Sequence, residues 1–117
     1  MQINVHTDHH VKGSLGLAER VEAELADTFA RFEKRLTRVD VHLGDEDATK
    51  HGADDKRCVI EAHSPGLKPL AVTHHASTVE EAYRGAAEKA ERALTTMFDR
   101  RSERDHSTIR HMDVDES

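Results

Sequence analysis

The sequence holds a single cysteine, Cys58, no tryptophan and two prolines. One thiol excludes an intrachain disulfide. Aromatic residues make up 3% of the chain, so the core has to be assembled from Leu, Val, Ile and Ala, with Phe29, Phe32 and Phe98 as its bulky members. No apolar run approaches the ~20 residues that a membrane-spanning helix requires. No charged and apolar leader opens the chain, and the expectation is a soluble, cytoplasmic protein with no membrane partner. The chain carries no GxGxxG, no Walker A loop, no GxSxG, and no HExxH or CxxC spacing. Ser14, Ser64 and Ser77 read as cap or turn residues, and Cys58 reads as a small buried hydrophobe in a strand. No enzymatic activity and no cofactor are expected.

What the chain does have is charge. Its 117 residues fit one domain, and 34% of them are charged, with a formal net charge of −6. That sign argues against a generic nucleic-acid binder, but the charge is unevenly spread. Residues 44–57 hold Asp45, Glu46, Asp47, Asp54 and Asp55 against three bases, and the tail from Asp105 is also acidic, whereas residues 77–104 balance acids with bases. The acidic loop lacks the spacing and the glycine of an EF-hand and reads as a solvated connection.

Alternation of apolar and polar residues predicts strands over 2–7, 37–43, 57–63 and 70–75. The facing of the last is open. Ser14 is the expected N-cap of a helix over 15–35, whose stripe is Ala18, Val21, Leu25, Phe29, Phe32 and Leu36. Ser64-Pro65-Gly66 is a turn. Thr78-Val79-Glu80-Glu81 has the form of a capping box, opening a helix to about Arg100 with Val79, Ala82, Ala86, Ala90, Leu94, Met97 and Phe98 inward. Glu80, Arg84, Glu88 and Arg92 would form an ion-pair ladder on its outside. The order β-α-β-β-β-α implies an α+β fold. Its four-stranded mixed sheet has a right-handed parallel crossover between the first two strands, and both helices pack on one face. The domain is expected over 1–104, with 105–117 a disordered acidic tail.

Several segments, in this order, carry a resemblance: Met1-Gln2-Ile3-Asn4-Val5, the strand Thr37 to Leu43, Asp45-Glu46-Asp47, Lys56-Arg57-Cys58, the run Leu70 to Ala82, and Glu88-Lys89-Ala90-Glu91-Arg92-Ala93-Leu94. Over about residues 1–100 the chain resembles the ribosome hibernation-promoting factor and ribosome-associated translation inhibitor family. The resemblance implies a shape like double-stranded-RNA-binding domains. It implies a bacterial factor that binds the small ribosomal subunit through ribosomal RNA and silences translation in resting or stressed cells. It also implies that Lys89 and Arg92 match the basic positions of the second helix. Ala18 and Glu24 stand where that family carries basic residues on the first helix. The chain shows no C-terminal dimerisation domain and so resembles the short form.

The expected RNA-binding residues are Lys89 and Arg92, then Arg84, Arg100 and Arg101. From the residues alone, Lys89 and Arg92 also read as a solvated helix face beside Glu88 and Glu91. Arg100 and Arg101, with Arg104, complement the helix dipole. The second functional reading is a protein-interaction module that kept the fold and lost the RNA surface. Ten histidines are present. His6, His42 and His63 would share the open sheet face, with His6 and His42 brought together by adjacent strands. They read first as exposed polar strand residues and second as a metal or pH-sensing cluster. The open face and the sheet edges leave room for a homodimer.

Overall fold

The computed structural model describes residues 1–8, 16–45 and 56–112, with 101–112 as backbone alone. Strands β1 (Gln2–Thr7), β2 (Arg38–Asp45), β3 (Lys56–His63) and β4 (Leu70–Ala76) form one sheet in the order β1-β2-β3-β4. β1 and β2 are parallel, and the other pairs are antiparallel. Helix α1 (Leu17–Thr28) provides the crossover, and α2 (Val79–Met112) follows β4. This is the predicted β-α-β-β-β-α order and mixed sheet.

The register explains the two faces. Val39, Val41 and Leu43 of β2 stand opposite Ala62, Ile60 and Cys58 of β3, and all six are buried beneath the helices. β4 continues the pattern: Leu70, Val72 and His74 pair with Ala62, Ile60 and Cys58 and so share the helix-covered face. That settles the facing left open by the sequence. It also sends His74 inward, where its ring lies against Gly85 of α2; a Cβ at residue 85 would collide with it. Tyr83, Ala86, Ala87, Ala90 and Leu94 complete the core from α2. The small side chains let the helix lie close to the sheet.

Three boundaries differ from expectation. The first helix does not reach residue 35. It stops at Thr28, and a 3₁₀ turn spans Ala30–Phe32. The Phe32 and Glu33 amides bond to the carbonyls of Phe29 and Ala30 at 2.9 and 3.1 Å. A 3₁₀ turn keeps a spacing of three residues, so Phe29, Phe32 and Leu36 still enter the core and the apolar period is blind to the change. At the other end the Ser14 cap and the turn beyond Asp8 lie outside the described residues. The residue flanking Leu17 is Gly16, at φ 86°, a left-handed conformation that glycine adopts without strain. Leu17, not Ala18, takes the first buried position. Finally, α2 continues past Arg100 to Met112. Neither Gly nor Pro occurs after Gly85, so nothing in the sequence breaks the helix. Most of the acidic loop and residues 113–117 lie outside the described residues.

At the start of α2 the Thr78 hydroxyl accepts the Glu81 amide at 3.1 Å, as a capping residue does. The Glu81 carboxylate takes the Ser77 hydroxyl at 3.1 Å. Among the described residues no helix is long and apolar enough to cross a membrane.

Candidate functional site

Positions 89, 92, 96 and 100 fall within one stripe of α2, and Lys89, Arg92, Thr96 and Arg100 are all exposed. At 1.5 Å per residue the stripe is about 16 Å long. The Lys89 ammonium donates to the Thr73 carbonyl oxygen at 2.9 Å, on the outer edge of β4, the last strand of the sheet. A carbonyl fixes the ammonium without cancelling its charge. Arg92 and Arg100 have no hydrogen bond or ion pair among the described residues. The Arg101 side chain lies outside what is described. Lys34 and Lys68, which sequence reasoning passed over, are also exposed and unpaired among the described residues. An exposed lysine outside helix and strand gives no signal of its own.

Arg84 is placed differently. About 100° around the helix, Arg84, Glu88 and Glu91 face α1. The Arg84 Nε and Nη2 donate to Glu24 Oε1 and Oε2 at 3.1 and 3.3 Å. The Tyr83 hydroxyl donates to the same carboxylate at 2.9 Å. The bonds from Arg84 outweigh partial burial and hold the Glu24 carboxyl below its ordinary range. Burial, reinforced by Glu24, pushes the Tyr83 phenol up, and Glu24 raises Arg84 in turn. Glu80 reaches Arg20 at 3.7 Å and Glu91 reaches Arg31 at 3.7 Å. The predicted ladder along α2 is therefore replaced by ties to the preceding segment, because α1 and the 3₁₀ turn after it present opposite charges across the gap. The cleft between the helices, about 210 Å³, is lined by Glu24, Thr28, Tyr83, Arg84, Glu88 and Glu91 among others. Three carboxylates against one paired guanidinium make it a poor seat for phosphate.

On the open sheet face, His6 and His42 are register partners and their rings stack at 4.8 Å and 15°. His63 does not join them. It stands opposite Arg38, four residues along β2 from His42, a separation of about 13 Å, so the three histidines cannot hold one ion. His63 instead meets two carboxylates. Its Nε2 lies 3.5 Å from Asp40 Oδ2 and 3.6 Å from Glu61 Oε1. Arg38 bonds Asp40 at 2.9 Å and approaches His63 Nε2 at 3.2 Å, while Asn4 donates to Asp40 Oδ1 at 3.0 Å. Burial works against ionisation of Asp40, but the Asn4 bond and the Arg38 charge prevail, and its carboxyl sits below the ordinary range. Cys58, on the covered face, is buried, and desolvation pushes its thiol up to about 12.

Residues 3–102 match the family model described as sigma 54 modulation protein / S30EA ribosomal protein. Solved structures share the fold, two of them as follows. The N-terminal domain of Thermus thermophilus Protein Y superposes with a TM-score of 0.64 at 18% identity, covering 83% of this chain and 99% of that one. A ribosomal subunit interface protein from Coxiella burnetii superposes at 0.65 and 15% identity, covering 85% and 99%. No curated protein matches significantly.

Proposed function

The chain belongs to the sigma 54 modulation protein / S30EA ribosomal protein family, and from that membership we propose that it is a non-catalytic, ribosome-associated factor of the bacterial cytoplasm. It binds the small subunit and silences translation in resting or stressed cells. The family match across residues 3–102 carries this reading. The mechanism is occlusion: a folded domain occupies space on the subunit, its shape decides the fit, and cations engage backbone phosphates.

Lys89, Arg92 and Arg100 are the contacts we assign to ribosomal RNA, with Arg101 beside them. The support is their common stripe and their uncancelled charge. Arg84 takes a lesser part, because Glu24 already neutralises it. Against a net charge of −6, attraction depends on cations gathered locally, as they are on this stripe. The test is sedimentation of stationary-phase extracts through gradients at several salt concentrations, with the protein followed by antibody. Co-migration with small subunits that weakens as salt rises supports the assignment. Absence from all ribosomal fractions at low salt overturns it and favours a protein-interaction module, the reading to which the overall acidity points.

A further inference from the structure

We propose that Asp40, Glu61 and His63 form a binding site for one divalent transition-metal ion, of the Zn²⁺ type, on the open face of the sheet. Their ligand atoms all lie within 4.8 Å of one another, the one such group of three among the described residues. Zinc bound tetrahedrally at 2.0–2.2 Å holds neighbouring donor atoms roughly 3.4 Å apart. The His63 Nε2 distances of 3.5 and 3.6 Å to the two carboxylates already match that spacing. One imidazole nitrogen and two carboxylate oxygens suit a borderline cation and leave a fourth position for water.

The backbone builds this arrangement. Asp40 and Glu61 are direct partners across the β2–β3 ladder, and His63 lies two residues beyond Glu61 on the same face. Asn4, from β1, occupies Asp40 Oδ1 and leaves Oδ2 turned toward the cluster, as a supporting shell does for a metal ligand. Asp40 and His63 are mostly covered, at 14% and 22% side-chain exposure, and Glu61 is open at 43%.

The place that an ion would take is held by a cation. Arg38 Nη2 lies 3.2 Å from His63 Nε2, and Arg38 Nε lies 2.9 Å from Asp40 Oδ2. The guanidinium is thus the resident cation of the cluster, and its side chain is half exposed. Arg38 is therefore a competitor of the metal, and removing it should strengthen binding.

The experiment uses the full chain without a histidine tag. Co²⁺ is titrated by its visible absorption, and Zn²⁺ is then added to displace it. Saturable one-to-one binding is expected, with a rise of roughly 10 °C in the thermal midpoint when Zn²⁺ is in about 100-fold excess over its Kd. His63→Ala and the milder, exposed Glu61→Gln should each abolish it, with circular dichroism confirming the fold. Arg38→Gln should tighten it about two- to fivefold, the share set by one exposed ion pair. His6→Ala/His42→Ala should leave it unchanged. Absence of saturable binding overturns the proposal. So does binding that survives Glu61→Gln and disappears with the His6 and His42 pair. Neither result bears on ribosome association.

Discussion

The Glu24 carboxylate on α1 receives both Nε and Nη2 of Arg84 on α2, at 3.1 and 3.3 Å. The two residues are 60 positions apart, and their pairing has two effects. It ties the helices together over the Tyr83 hydroxyl, and it withdraws a cation that the α2 surface could otherwise offer to RNA.

Replacing Glu24 should separate these effects. Glu24→Gln releases the Arg84 charge while keeping a hydrogen-bonding side chain. Ribosome association should then strengthen, and the slope of log affinity against log salt should steepen by about one. The thermal midpoint should fall slightly, because an exposed pair contributes little. Binding measured by pelleting between 50 and 300 mM salt checks this (values set by the screening range). An unchanged slope means that Arg84 stays off the RNA even when freed.

Charge reversal on the stripe should act in the opposite sense. Lys89→Glu with Arg92→Glu is expected to reduce co-sedimentation with small subunits sharply and to flatten the salt slope by about two. Arg84→Gln should change it far less. If the double variant sediments as the parent does, the stripe is not the contact surface.

The contact between His74 and Gly85 sets a stability prediction. Gly85→Ala places a methyl group against the imidazole and should cost about 1–3 kcal/mol, the usual range for overpacking. In an open helix the same change would help by up to about 1 kcal/mol. Adding His74→Ala should therefore recover much of the loss. Denaturant midpoints of the three proteins decide it, since equal losses in the single and double variants would place the strain elsewhere.

Acid should weaken the α1–α2 tie. The Glu24 carboxyl is held below its ordinary value of 4.5 in the folded state. Its contribution is therefore complete above that value and fades as pH falls through the lower folded one. Asp40 follows the same rule from 3.8. Thermal midpoints of the parent should drop more steeply below about pH 4.5 than those of Glu24→Gln. Parallel curves would assign the acid sensitivity to other groups.

Cys58 offers a simple probe of the core. With its thiol buried and raised to about 12, it should stay unlabelled by a disulfide reagent at pH 8 in the native protein and react at once in denaturant. Fast native labelling would mean that β3 opens readily.

Much of this molecule could be read from its sequence. Alternation placed the four strands within a residue or two, and the period of three to four located the inward face of α2. The 3₁₀ turn at Ala30–Phe32 escaped because its spacing preserves the apolar stripe. Tyr83 was overlooked because a tyrosine among alanines signals nothing until a carboxylate from a distant helix meets its hydroxyl. The Arg84 pairing was hidden for the same reason: a ladder with Glu80 and Glu88 is the local reading, and only packing brings Glu24 closer. Alternation shows an outward position for His63, and Asp40 and Glu61 stand opposite each other on the same face of the sheet. Their convergence depended on register, which pattern alone does not supply. His63 was therefore grouped with His6 and His42 when it belongs with two acids.

Lys89 has one more consequence. Its ammonium covers the Thr73 carbonyl on β4, which has no neighbour on its outer side among the described residues. Unsatisfied strand edges invite pairing with another chain, and a lysine is a common guard against it. The side chain assigned to hold RNA is thus also the gatekeeper of a sticky border. A variant at residue 89 can lose its ligand and gain self-association together, so gel filtration beside the pelleting assay is needed to tell a weakened binder from an aggregating one.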